Sequence, residues 1–243
     1  METLNGSVAL VTGASSGIGK GIATMLAAEG VQVALVARRE HELQGVADAI
    51  RHHGGTALVA SADLRDDQAL RAVVEQTRAS LGPIDMLVNS GGIVETTPIH
   101  ELDLQAWDAC LAVNLRAPAL LCAALLPSMR ERKRGYIVNI ASEAGALVYA
   151  GMGAYAVSKH GLRVLTELIQ DENQEHGVKA WAICPGYVDT PMVAAWDPDA
   201  LPHNFLQVGE VVEVVRFLLT QGANVKMGPE ILIRTTRNPH APD

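Results

Sequence analysis

The chain has 243 residues, 49% of them hydrophobic and 19% charged, and 19 Lys plus Arg against 27 Asp plus Glu leave a net charge of −8. That length suits one large α/β domain, and the apolar fraction excludes wholesale disorder. The acidic balance argues against nucleic-acid binding, which needs a basic surface.

In chain order, Ser7–Val11 predicts a strand, followed by a glycine-rich turn and a helix over Ile18–Glu29. Val31–Val36 predicts a second strand, with a helix at about 41–53, a strand at about 56–62 and a helix at about 66–80. Asp85–Asn89 closes a fourth strand unit. Trp107–Glu131 predicts a long helix, broken or kinked at Pro118. Tyr136–Ala141, Val178–Cys184 and Glu230–Arg234 supply three more strands, with helices at about 154–176 and 208–220 between them. The alternation implies βαβ units. The strands are near-continuous Val, Ile, Leu and Ala, as a parallel sheet buried on both faces requires. The expectation is a Rossmann-type, doubly wound parallel sheet of about seven strands, with helices on both faces and the whole of 1–243 in one domain.

The longest uninterrupted apolar stretch, Ala117–Leu126, is half of what a membrane helix needs, and the Met-Glu-Thr-Leu-Asn start lacks the features of a signal peptide. Cys110, Cys122 and Cys184 show no CxxC spacing and read as small buried residues. These features lead us to expect a cytoplasmic protein with no membrane partner. The histidines show no metal-ligand spacing: His41-Glu42 lacks a second His, and His52 and His53 diverge on a helix. No metal is expected.

The first strand runs into Thr12-Gly13-Ala14-Ser15-Ser16-Gly17-Ile18-Gly19. Glycines in such a strand–turn–helix let backbone N–H groups approach a pyrophosphate at a helix N-terminus. The spacing is Gly-x-x-x-Gly-x-Gly, and by itself it is also compatible with an ordinary turn. After the second strand, where a carboxylate would select NAD, stand Arg38 and Arg39. A guanidinium fork suits a 2′-phosphate, which favours NADP(H), the alternative being two plain surface arginines. Asp63-Leu64, after the third strand, could meet the adenine, or Asp63 could cap a helix.

Tyr155-Ala156-Val157-Ser158-Lys159 sets Tyr155 and Lys159 on one helix face. A nearby ammonium favours the phenolate and lowers the tyrosine pKa toward working pH. Ser142 follows the Tyr136–Ala141 strand, where its hydroxyl can orient a carbonyl oxygen.

On Thr12–Gly19, Ser142, Tyr155 and Lys159 the sequence resembles the short-chain dehydrogenase/reductase family, over about Gly6–Ile233. The resemblance implies a catalytic tetrad of Asn114, Ser142, Tyr155 and Lys159. Tyr155 would exchange a proton with the substrate oxygen and Ser142 would hold that oxygen. Lys159 would bond the nicotinamide ribose, and Asn114 would anchor a water linking Lys159 to solvent. It also implies cofactor contacts from Gly13, Ser15, Ser16, Gly17, Ile18 and Gly19, from Ser90, Gly91 and Gly92, and from Pro185, Gly186, Val188 and Thr190. Asn89-Ser90-Gly91-Gly92 departs from the family's Asn-Asn-Ala-Gly and reads as a smaller, looser loop. The glycine loop carries no basic residue, and no glycine pair follows the last strand.

About 191–206, with Trp196 and Phe205, reads as a short substrate lid. The implied activity is NADPH-dependent reduction of a ketone or aldehyde, a 3-oxoacyl thioester among the candidates. The alternatives are an alcohol dehydrogenase working in the oxidative direction and an NADP-binding sensor without turnover. The resemblance also implies that the helices at about 107–131 and 154–176 pair across a two-fold axis in a homodimer or homotetramer, through apolar stripes at Leu120, Leu121, Ala124 and Leu125 and at Leu162, Leu165 and Leu168; the alternative is that these stripes only cover the sheet of their own subunit.

Overall fold

In the computed structural model, which describes residues 3–222 and 225–241, seven parallel strands form one sheet in the order β3-β2-β1-β4-β5-β6-β7. They are β1 Val8–Thr12, β2 Gln32–Ala37, β3 Ala57–Ser61, β4 Met86–Asn89, β5 Gly135–Ile140, β6 Val178–Pro185 and β7 Glu230–Ile233. The helices are α1 Gly17–Ala28, α2 Glu40–His52, α3 Asp67–Leu81, α4 Leu104–Leu111, α5 Ala117–Glu131, α6 Gly153–Asn173, α7 Pro191–Trp196 and α8 Val208–Leu219. The doubly wound architecture is the one expected from the alternation of elements.

Side-chain alternation along each buried strand feeds two cores, one per sheet face. From β1, Ala9 and Val11 join Ile22, Leu26, Leu43 and Val215, whereas Val8 and Leu10 join Leu70, Val73, Leu121 and Leu125. Because β1 is flanked by β2 on one side and β4 on the other, the chain winds outward in both directions from this point. The connections therefore part at the carboxyl ends of β1 and β4 and leave a crevice there.

Three expectations need correction. The long helix does not break at Pro118. Residues Ala112–Arg116 form a π-helical turn between α4 and α5, and Pro118 lies in the first turn of α5. Ala117 donates to the Ala112 carbonyl, five residues back, and Pro118 has no N–H to offer. The disturbance thus falls on the turn that carries Asn114.

Joined in this way, Leu104–Glu131 is long and apolar enough, by length and composition, to cross a membrane. Counting only uninterrupted apolar residues concealed this, because Asn114 and Arg116 interrupt the segment before Ala117. Its inner face, including Cys110, Ala117, Leu121, Leu125 and Met129, is buried, and covering the sheet accounts for that much of its apolar character.

The stripes assigned to a subunit contact are divided. Leu121, Leu125 and Leu162 are fully buried in their own subunit, and Leu120, Ala124 and Leu165 pack partly against the same cores. Only Leu168 stands exposed, with Val157 and Val164 beside it on the outer face of α6.

Candidate active site

A cleft of about 420 Å³ opens at the carboxyl ends of the central strands. Every residue named above as a cofactor contact lines it, as do Ser142, Tyr155 and Lys159. Asn114 is the exception: it is fully buried behind the wall.

The glycine loop is shaped by contact as much as by flexibility. A Cβ on Gly19 would stand 2.5 Å from the Gly13 carbonyl oxygen, and one on Gly13 would stand 2.7 Å from the Gly91 nitrogen. The turn therefore closes against the end of β4 and aims the start of α1 into the cleft. Ser16 caps α1 without a side-chain hydrogen bond, and the first turn of α1 holds no acidic residue. The free N–H groups and positive dipole end face a place suited to a phosphate.

The Ser16 hydroxyl is engaged by Arg39 instead. Arg39 Nη2 donates to Ser15 Oγ at 3.0 Å and to Ser16 Oγ at 3.1 Å. A guanidinium is thereby bridged to the phosphate-binding turn from the end of β2. Arg38 lines the same corner. Asp63 does not cap a helix. Asp66 caps α3, accepting from Gln68 and Ala69, while Asp63 pairs with Arg65 at 2.6 Å. The Arg65 hydrogen bond holds the Asp63 carboxyl below its ordinary pKa. Glycines that a Cβ would block, a helix terminus without its cap and a basic corner are what a dinucleotide phosphate requires, so the residues fit the cofactor that the sequence implied.

The Ser90–Gly92 loop is not loose. Ser90 and Gly91 both donate backbone N–H groups to Thr12 Oγ1 at 3.1 Å. Sequence reading put Thr12 at the head of the glycine turn but gave it no role, because its partners at the end of β4 are 78 and 79 residues away. Met192 and Val193, which the sequence put at the start of the lid segment, line the cleft from α7.

At the far end of the cleft, α6 presents Tyr155 and Lys159, and Ser142 follows β5. Lys159 Nζ donates to the Ile140 carbonyl at 2.8 Å and lies 5.7 Å from the Tyr155 ring centre. Burial pushes the Lys159 pKa down from 10.5 to about 8. The Tyr155 pKa is raised, not lowered: burial of a phenolate outweighs the hydrogen bond with Ser142 that favours it. The expectation that Lys159 alone brings Tyr155 toward neutrality fails because both groups lose their water together.

Asn114 braces this region. Its amide nitrogen donates to the Ile93 carbonyl at 2.9 Å and to Ser158 Oγ at 3.0 Å, and its Oδ1 accepts from Ile93 N at 2.9 Å. Ser158 in turn donates to the Tyr155 carbonyl at 2.7 Å. Above the pocket, Trp196 Nε1 of α7 donates to Thr96 Oγ1 at 3.2 Å. Tyr187 packs on Trp196 and Phe205 and donates to Asp197 Oδ2 at 2.8 Å. Residues 197–205 are pinned by the chain end, through Leu201 N to the Pro239 carbonyl and Asn204 Nδ2 to the Asn238 carbonyl.

Comparison with known proteins agrees with this geometry. Residues 7–201 match the model of the short chain dehydrogenase family. The chain belongs to that family. An uncharacterized oxidoreductase of Staphylococcus saprophyticus is 36% identical over 235 residues, which is 96% of this chain and 99% of the relative. A short chain dehydrogenase of Pseudocercospora fijiensis is 39% identical over 196 residues, 80% of this chain and 63% of the relative. Among solved structures, a metagenomic short-chain oxidoreductase in complex with NADP superposes with a TM-score of 0.84 at 36% identity, covering 98% of this chain and all of the other. An alcohol dehydrogenase from Thermococcus sibiricus complexed with 5-hydroxy-NADP gives 0.87 at 27% identity, covering 96% and 98%. The protein is therefore an NAD(P)-dependent oxidoreductase of the short-chain type.

Proposed function

We propose that this short-chain dehydrogenase reduces a ketone or aldehyde with NADPH, and that Asn114, Ser142, Tyr155 and Lys159 are its working residues. The observation that carries the cofactor choice is the Arg39 guanidinium bonded to Ser15 and Ser16 at the phosphate-binding turn. The structures solved with NADP and 5-hydroxy-NADP in similar proteins support it.

Bound in the cleft, the cofactor supplies the hydride, and this chain's residues do the rest. Arg38 and Arg39 would hold the cofactor's 2′-phosphate, Lys159 would hold a ribose hydroxyl, and Ser142 would hold the substrate oxygen. Tyr155, its pKa raised by burial, carries its proton at neutral pH and delivers it from its hydroxyl to that oxygen. Reduction consumes that proton and oxidation returns it, so the reductive direction rests on the preference for NADPH and not on the tyrosine.

The segment 191–206 acts as the lid of a single-domain enzyme, with Met192 and Val193 on the cleft side and Trp196 tying it to Thr96. The outer face of α6, where Val157, Val164 and Leu168 are each about half exposed, supports a two-fold dimer. Three free, buried cysteines accord with a reducing cytoplasm.

The test is NADPH and NADH oxidation with a panel of ketones, aldehydes and a 3-oxoacyl thioester. We expect turnover with at least one carbonyl and a preference for NADPH of about tenfold or more. NADPH binding without oxidation across the panel would point to the sensor, and preferred use of NADH would remove the phosphate role of the arginines.

A further inference from the structure

A second cavity, of about 760 Å³, opens at the opposite end of the sheet, where β5 and β6 begin. The eight residues of β6 separate it from the catalytic cleft by roughly 25 Å. Lys133, Arg134, Lys179 and Lys226 line it, with Glu175 as its carboxylate. Four cations against one anion leave a local charge of +3 in a chain whose net charge is −8.

Among the described residues, none of these four cations has a carboxylate within 4.0 Å. Arg38, Arg39 and Lys159 in the cofactor cleft share that property, as do Lys20, Arg71, Arg130 and Arg237 outside both cavities, so what distinguishes these four is their convergence on one cavity. Three of the four use an N–H group on a neutral acceptor. Lys179 Nζ donates to the Gly222 carbonyl at 2.8 Å, Lys226 Nζ to Gln174 Oε1 at 2.9 Å and Arg134 Nη2 to Ser7 Oγ at 2.9 Å. Lysine has three donors and arginine five, so each keeps donors free. Lys179 also neutralises the carbonyl end of α8, an ordinary use for such a cation.

Lys133 has a different origin. It follows the end of α5 with φ +52. Its N–H bonds the Arg130 carbonyl and that of Arg134 the Met129 carbonyl, the paired bonds of a Schellman cap. Glycine is the residue this position favours. The turn presses so closely on the start of β6 that a Cβ on Gly177 would overlap the Lys133 carbonyl. A lysine is thus held in a left-handed conformation at the rim of a basic cavity, with no hydrogen-bond acceptor for its ammonium among the described residues. Val225 and Met227 give the rim an apolar side.

We propose that this cavity binds a small polyanion, a phosphorylated or polycarboxylate metabolite, at a site separate from the cofactor cleft. The anionic oxygens take the free donors of Lys133, Arg134 and Lys226, and the carbon skeleton lies against Val225 and Met227.

The experiment is calorimetric titration of the NADP-saturated protein with inorganic pyrophosphate and, separately, with citrate. Saturable binding of one equivalent is expected. Tighter pyrophosphate assigns a phosphorylated ligand, and tighter citrate a polycarboxylate. Arg134→Gln combined with Lys226→Gln should weaken the preferred anion at least about tenfold. Lys133→Gly separates binding from folding: it should raise Tm, because it relieves the left-handed lysine, and still weaken the anion severalfold. Absence of saturable binding by either anion would overturn the proposal. So would full affinity in the double variant, or a Lys133→Gly protein with higher Tm and unchanged affinity.

Discussion

The Asn114 amide nitrogen lies 3.0 Å from Ser158 Oγ, on the residue next to Lys159 in sequence. This bond joins the π-helical turn to the helix that carries Tyr155 and Lys159, and Ser158 passes the constraint on to the Tyr155 carbonyl. Both side chains are fully buried.

Ser158→Ala removes one end of this brace and leaves one Asn114 N–H with only the weak acceptor Cys110 Sγ at 3.3 Å. A poorly satisfied buried donor costs about 1 kcal/mol, so the denaturation midpoint should fall accordingly. Turnover should fall as well, because Tyr155 and Lys159 lose their support, while NADPH affinity should change little. Denaturant titration together with kcat and a cofactor Kd checks this. Unchanged stability and turnover would make the contact incidental.

Arg39→Ala should weaken NADPH by about tenfold to a hundredfold, the range of a charge-assisted hydrogen bond, and leave NADH almost unchanged. Ala37→Asp, which places a carboxylate at the end of β2, should move preference toward NADH by repelling the phosphate and bonding the ribose hydroxyl. The measurement is kcat/KM for both cofactors in each variant.

Much of this site could be read from the amino-acid order, because its parts are local. Gly13, Gly17 and Gly19 form one turn, Tyr155 and Lys159 one helix face, and Arg38 and Arg39 one strand end. What escaped depends on distant partners. Thr12 ties the Ser90–Gly91 loop only once β1 and β4 are neighbours. The π-helical turn at Asn114 is stabilised by bonds to Ile93 and Ser158, and local propensity pointed to Pro118 instead. Leu121 and Leu162 looked like subunit contacts because a helical stripe has the same period whether it faces a sheet or another copy. The direction of the Tyr155 pKa escaped for a similar reason. Spacing shows the ammonium beside the ring but not the loss of water around both.

Lys159 links pH to stability. In the unfolded chain it keeps its proton to about pH 10.5, and in the folded chain only to about 8. Burying its ammonium therefore costs the cofactor-free fold about 3 kcal/mol below pH 8, and the cost fades as pH rises toward 10.5. Lys159→Met should stabilise the cofactor-free protein at pH 7 by up to that amount, lose the advantage above about pH 10.5, and nearly abolish turnover. Chemical denaturation across this pH range checks the sign. A Met variant that is less stable at pH 7 would contradict it.

The most direct test of the reductase reading is single-turnover oxidation of bound NADPH by a carbonyl substrate in the wild type and in Tyr155→Phe. The variant keeps the ring and the cleft but has no proton to give. Proton-transfer groups contribute about 10²–10⁴-fold, so the rate should fall within that range while NADPH affinity stays at the wild-type value. A Tyr155→Phe enzyme that oxidises NADPH at close to the wild-type rate would contradict the account.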